Sequence, residues 1–202
     1  VTYSEYSAVS QRNANAYSLQ IMNQIRINLE TVIADADRIT IAPLYDEEVL
    51  DIMLRHSGDE PAIGKLIPSS EITKMARVVS SLTSGRPAIE RMLFFTRDGI
   101  IFSVIENVFE RYWSEADKSW MDRVNEAEGG LVIIEPHKPS YSGERVISVA
   151  RALNHPSTGR NLGIVKIDFR MKELEAILSG VWLSDHSVLF VRNDANGVLL
   201  FP

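Results

Sequence analysis

The chain of 202 residues has no cysteine, which excludes disulfides, thiolate-bound zinc and a thiol nucleophile. Nor has it an excess of basic charge: 21 Lys and Arg stand against 27 Asp and Glu, a formal net charge of −6. Nucleic acids are held mainly through Lys and Arg on their phosphates, so this balance argues against a nucleic-acid partner. No run approaches the roughly 18 apolar residues of a membrane span, and no signal peptide is present. His56, His137, His155 and His186 have no ligand spacing, so neither a metal nor a cofactor is expected. A glycine-rich phosphate loop and a nucleophile elbow are missing as well. Acidic pairs such as Glu47-Glu48 and Asp59-Glu60 fall at helix starts or in loops, where capping or solvation accounts for them. No catalytic residues stand out, and the chain reads as something other than an enzyme.

Pro and Gly are absent from Ser4 to Thr40, a stretch that reads as one long helix. Ile21, Ile25, Leu29, Val32, Ala36 and Ile39 recur every three or four residues and form one stripe. The polar first part, with Tyr3, Gln11, Asn13 and Asn15, is expected to project as a stalk and to pair with a second copy through residues 1–40. Pro43 closes the helix. Asp46 is placed to cap a second one bearing Val49, Leu50, Met53 and Leu54, and Ser69 to cap a third bearing Ile72, Met75, Val79 and Leu82. Residues 57–68 read as a loop.

At Pro87 the periodicity changes. Ile89–Thr96 and Ile100–Val104 flank Arg97-Asp98-Gly99, the strongest local hairpin signal in the chain. Asn107–Trp113 reads as a connector, and Ser114 with Asp117 resembles a capping box opening a helix that carries Trp120, Val124 and Ala127. Gly129-Gly130 ends it, Leu131–Ile134 forms a strand, and Glu135–Gly143 a loop. The central feature is the pair VISVARAL and LGIVKIDF, joined by the loop Asn154–Asn161, which reads as an antiparallel hairpin. Ile147, Val149, Arg151 and Leu153 share one face of its first strand. Ser148, Ala150 and Ala152 share the other, where small side chains leave room for a helix or a bound molecule. Asp168, a carboxylate in the middle of an apolar strand, is the oddest residue of the sequence. It has three bland explanations: pairing with Lys166, pairing with Arg151, or capping the helix that starts at Met171. The hairpin of residues 187–201, with its NDANG turn, echoes MLFFTRDGIIF and suggests a second module.

The hairpin FFTRDGIIFS, the segment KSWMDRVNEAEGG, the strand VISVARAL and the stretch LGIVKIDFRMKELEAIL resemble, in order and spacing, the double Cache (PAS-like) extracytoplasmic sensor domain. The type most similar is the sensor region of YesM-like Gram-positive transmembrane histidine kinases. The resemblance implies an α+β fold: a long N-terminal helix plus a PAS-like five-stranded antiparallel sheet flanked by helices, followed by the start of a second smaller PAS-like module. It divides the chain into a stalk helix (1–42), a membrane-distal sensor domain (43–170), a connecting helix (171–180) and the start of a membrane-proximal module (181–202). It also implies a location on the extracytoplasmic face of the cell membrane, between two transmembrane helices. Val1 in place of Met, and Pro202 directly after the apolar run Val198–Phe201, fit the expectation of a piece of a longer protein.

In amino-acid-sensing members, an Arg-x-Trp-Tyr segment, an aromatic on the following loop and an Asp on the last strand hold the ligand. The corresponding positions here are Lys118, Trp120, Met121, His137 and Asp168. Trp120 and Asp168 match, Lys118 keeps the charge without the guanidinium fork, and Met121 departs from the pattern. Tyr141 on the loop, Ser148 on the small-residue face and Arg151, which is able to clamp a carboxylate, complete the candidate site. The expected function is sensing of a small polar solute (a sugar, amino acid or organic acid), with the long helix relaying the change to a histidine kinase. The alternatives are an interaction module that reads a solute-binding protein, and the sensor of a chemotaxis receptor.

Overall fold

The computed structural model describes residues 3–60, 62, 66–103, 108–109, 119–139, 141–179, 191–192 and 199–201. Helix α1 spans Tyr3–Ile41, a rod of about 58 Å at 1.5 Å per residue. Up to Tyr17 its described side chains are exposed, whereas Ile25, Ala36 and Ile39 are buried. A single turn of 3-10 helix, Ala42–Tyr45, carries the buried Pro43, whose missing N–H stops the α-helix. Helix α2 follows at Glu47–Arg55, and the Asp46 carboxylate accepts from the N–H groups of Glu48 and Val49 as the sequence suggests. Helix α3 spans Ser69–Thr83, but Ser69 is not its cap. Pro68 holds that position, its ring fixing an extended backbone while its carbonyl accepts from the N–H groups of Glu71 and Ile72.

Strands β1 (Ile89–Thr96), β2 (Ile100–Phe102), β3 (Val108–Phe109), β4 (Val132–His137), β5 (Val146–Asn154) and β6 (Asn161–Arg170) form one antiparallel sheet in the order β3-β2-β1-β6-β5-β4. The five expected strands are there, and the short β3, from the stretch read as a connector, extends the β2 edge. β1 and β6 are neighbours although every other strand lies between them in sequence. β4 runs three residues past its expected end, into Glu135, Pro136 and His137. Its pairing with β5 shifts register between Ile134 and His137. An edge strand accepts a proline at such a bulge, because the lost N–H need not face a partner. Helix α4, Met121–Glu126, precedes β4, and α5, Met171–Ser179, continues from β6. Residues 111–118, including Lys118 and the Ser114 cap, lie outside the described residues, as does the NDANG turn. The strands beside that turn, β7 (Val191–Arg192) and β8 (Leu199–Phe201), pair antiparallel in a separate two-stranded sheet.

The sheet separates two apolar clusters. On one face Ile147, Val149, Leu153, Val165 and Ile167 pack with Ala36, Ile39, Val49, Met53, Met75 and Val79 from α1, α2 and α3. On the other, Leu93, Phe95, Ala150, Ala152 and Ile164 pack with Trp120, Val124 and Ile134. Every residue of β5 is buried except Asn154, which agrees with both faces of that strand being covered. Gly163 marks the closest backbone approach: a Cβ there would stand 2.1 Å from the Phe95 carbonyl oxygen, and its φ is 141°.

Candidate ligand-binding site

The register of the central strands assembles the site. Arg91 on β1 lies opposite Asp168 on β6, and Asp168 lies opposite Ser148 on β5. One step along, Leu93, Lys166 and Ala150 form the next row. Directly opposed residues of antiparallel strands share a face, so Arg91, Lys166, Asp168 and Ser148 gather on the face of Trp120 and α4. Asp168, Ser148 and Lys166 are at most 1% exposed. The Ser148 hydroxyl and the Lys166 ammonium both donate to Asp168 Oδ1. The second oxygen, Oδ2, is buried without a donor among the described residues, and Arg91 Nε is likewise buried without an acceptor. Two unpartnered groups of opposite polarity thus stand on cross-strand neighbours, each carrying a substantial desolvation cost.

Aromatic rings line the same place. The Arg91 guanidinium lies 4.1 Å from the centre of the Tyr141 ring, and Lys166 Nζ lies 5.7 Å from that of Trp120, both within cation–π range. Trp120 meets Phe95 edge-to-face, with ring centres 5.4 Å apart, and is 4% exposed. Ala150 and Ala152 leave the floor beneath these rings low. Burial drives the Asp168 carboxyl well above the usual carboxylate range, the Arg91 charge draws it down, and Glu90 pushes it up again. The adjoining Lys166 ammonium favours the ionised form, but both groups have left water entirely and the loss of solvation dominates.

Of the expected site residues, Trp120, Tyr141, Ser148 and Asp168 come together. Met121, the first residue of α4, packs half-buried against the same cluster. His137 ends β4 rather than riding a loop, and its Nδ1 lies 2.8 Å from the carbonyl oxygen of Glu135. Arg151 stands on the opposite face. It donates from Nε to Thr40 Oγ1 at 3.2 Å and from its terminal nitrogens to the Asp37 carboxylate and the Gly129 carbonyl. The carboxylate it clamps belongs to α1, because the alternation that turns Ser148 toward Trp120 turns Arg151 toward the helices. Of the three bland explanations for Asp168, pairing with Lys166 is the one realised. Arg91 escaped the sequence reading. Its signal was the alternation Arg91, Leu93, Phe95 along β1, whose meaning depends on pairing with the distant β6.

A concavity between α2 and α3 is lined by Glu48, Asp51, Arg55, Glu71, Lys74 and Arg77. Four of these charges are paired: Lys74 with Glu48 (and with Asp46 beside it), and Arg55 Nε with Glu71 at 2.9 Å.

No family model matches the chain, and no curated protein matches it in sequence. Solved structures do. The sensory domain of the Campylobacter jejuni chemoreceptor Tlp3 with isoleucine bound aligns with a TM-score of 0.65 at 10% identity, over 99% of this chain and 74% of that one. The ligand-binding domain of the Pseudomonas fluorescens chemoreceptor CtaA, in complex with L-isoleucine, gives 0.63 at 16% identity over 98% and 72%. That of the Pseudomonas aeruginosa amino acid chemoreceptor PctC, in complex with GABA, gives 0.60 at 15% identity over 93% and 74%. The chain has the fold of these chemoreceptor ligand-binding domains.

Proposed function

We propose that this domain is the extracytoplasmic sensor of a transmembrane signalling receptor, and that it binds a small carboxylate-bearing solute between the sheet and the Trp120 segment. The observation that carries this reading is the pair of buried, unpartnered atoms, Arg91 Nε and Asp168 Oδ2, on adjacent strands. A ligand that presents an acceptor to the first and a donor to the second removes both desolvation costs at once. Trp120 and Tyr141 supply apolar walls, and Ser148 with Lys166 holds the carboxyl of Asp168 in place. The chemoreceptor domains of the same fold, with their bound amino acids and GABA, support a solute of this size. In this reading residues 1–42 are the stalk, 43–170 the membrane-distal sensor, 171–180 the connector and 181–202 the start of a membrane-proximal module.

The signal leaves through the other face. Arg151 sits one residue from Ala150 and Ala152 on β5 and grips α1 at Asp37 and Thr40, so a shift of β5 under the ligand bears directly on the rod. The resemblance to YesM-like sensors supports a histidine kinase as the parent's output and the likeness of fold supports a chemotaxis receptor, and the sensor would perform the same task in both. A thermal-shift screen of organic acids, amino acids and sugars on the purified domain tests the reading. A ligand at 100 times its Kd adds about 2.7 kcal/mol, which raises Tm by roughly 5–10 °C for a chain of this length. Arg91→Met is expected to abolish that rise. Absence of any hit, together with tight binding of a solute-binding protein, would favour the interaction-module alternative instead.

A further inference from the structure

His56, at the C-terminal end of α2, has a carboxylate on each side of its ring. Nδ1 lies 2.8 Å from Asp98 Oδ2 in the β1–β2 turn, and Nε2 lies 2.9 Å from Glu71 Oε2 in the first turn of α3. A neutral imidazole has a single N–H, and an ionised carboxylate only accepts. Both contacts are hydrogen bonds only when the three groups together hold one proton more than a neutral ring and two carboxylates. Without that proton a nitrogen lone pair faces a carboxylate oxygen. The Asp98 and Glu71 side chains are 6% and 10% exposed, so little water is at hand to relieve the contact. From this count we infer that His56, Asp98 and Glu71 form a proton-operated latch: with the extra proton bound, α3 is fastened to the end of α2, and without it α3 is released. The latch stands among the helices and uses nothing of the ligand site.

Release falls on α3 because Asp98 is tied in several ways. Its backbone N–H donates to the His56 carbonyl at 3.2 Å, its carbonyl accepts from Ala62 at 2.8 Å, and its Oδ1 accepts from Thr96 Oγ1 at 2.6 Å. Glu71 reaches α2 through its side chain, since its N–H donates to the Pro68 carbonyl ahead of α3. Apart from the ring it holds Arg55 Nε at 2.9 Å, and a pair to an exposed arginine is worth little. A neutral ring therefore keeps its proton on Nδ1, against Asp98, and gives up Glu71. The neighbouring charges stay fixed while this happens. Arg97 holds the Asp59 carboxyl below the usual carboxylate range, and Glu48 holds the Lys74 ammonium above the usual lysine range. Arg160 donates to the Ser57 carbonyl, and Phe102 meets the imidazole edge-on with ring centres 5.8 Å apart. Met75 and Val79 of α3 pack in one cluster with Ala36 and Ile39 of α1, so a loosened α3 bears on the rod. On the extracytoplasmic face proposed for this domain the proton comes from the external medium; the latch itself does not depend on that placement.

Native-state hydrogen exchange of the intact domain, followed from about pH 5 to about pH 9 and corrected for the intrinsic rate, tests this. Opening of α3 relative to β5 and β6 is expected to rise about tenfold across that range, the worth of one hydrogen bond to a charged group. In Glu71→Gln the amide oxygen accepts from Arg55 while the amide nitrogen donates to a neutral Nε2, so the latch closes without the extra proton. There the ratio of α3 to strand opening is expected to stay level. Should that variant not fold, the ring nitrogens of wild-type His56 decide by NMR. Protons on both at the acid end, and on Nδ1 alone at the alkaline end, support the latch; an unchanged ring overturns it. A level ratio in wild type, or one that rises equally in Glu71→Gln, overturns it too. No ligand enters these measurements, so the sensor reading is decided separately by the thermal-shift screen.

Discussion

At Asp168 the fold spends stability on a charge. Burial holds its carboxyl well above the usual carboxylate range, so the folded chain keeps a proton that an unfolded aspartate releases near pH ~3.9. Between that pH and the raised value, the folded state binds more protons than the unfolded one, and stability declines as pH rises through the window. Asp168→Asn removes the titration. In urea denaturation across the acid range, wild type should lose ground to the variant at up to about 1.4 kcal/mol per pH unit. Parallel profiles would mean that the carboxyl ionises as it does in the unfolded chain. Gly163 permits a plainer test of the sheet beneath the site. Its φ of 141° disfavours any side chain, and an added Cβ would meet the Phe95 carbonyl oxygen at 2.1 Å and Met53 Cε at 2.9 Å. Gly163→Ala should cost about 3 kcal/mol or more, read as a lower urea midpoint. A cost below about 1 kcal/mol would mean that β1 and β6 part easily.

At the scale of elements, polar clamps bind the helices to the sheet. His56, at the end of α2, lies between Asp98 of the β1–β2 turn at 2.8 Å and Glu71 of α3 at 2.9 Å, and Glu71 also accepts from Arg55. Removing the ring leaves two carboxylates, 6% and 10% exposed, without their common partner. His56→Ala is therefore expected to destabilise by about 2–4 kcal/mol, with amide exchange rising in α2 and α3 before β5 and β6. If exchange rose everywhere alike, the clamp would hold no particular element. The elements themselves were largely legible in sequence, since apolar alternation marks the strands, Asp98-Gly99 marks a turn and the apolar stripe marks the inner face of α1. What escaped was set by neighbours. Pro136 reads as a strand breaker, and only its place at an edge makes it harmless. Ser69 has a good cap side chain, yet Pro68 already dictates the backbone one residue earlier. Arg151 and Arg91 look alike in sequence, and only the alternation and register send one to α1 and the other to Tyr141.

On the scale of the whole molecule, the sheet is a partition, with the Trp120 cluster on one side and the helices α1, α2 and α3 on the other. Leu93, Phe95, Ala150, Ala152 and Ile164 face the Trp120 side, while the residues between them in sequence face the helices. In the proposed function, a displacement of β5 or β6 would be passed to α1 through these contacts. Along the rod, Arg86 Nε holds Asp35 at 2.9 Å, and Arg151 holds Asp37 and Thr40, so the sheet-side grip is concentrated near the end of α1. This separation predicts two outcomes that one substitution splits apart. With a saturating carboxylate ligand, hydrogen exchange should slow in β1, β5 and β6 and also in α1 from Ala36 to Ile41. In Arg151→Met, which leaves Arg91, Lys166, Asp168 and Ser148 in place and gives up one contact beyond the helices, to the Gly129 carbonyl, the Kd and the protection of the strands should remain, while the added protection of α1 disappears. The same variant without ligand should lose about 1.5–3 kcal/mol, the usual worth of hydrogen bonds to a charged group. If α1 is still protected by ligand in Arg151→Met, the rod is driven through apolar contacts with Ala36 and Ile39 rather than through the guanidinium. If the strands lose protection too, the two faces are not separable.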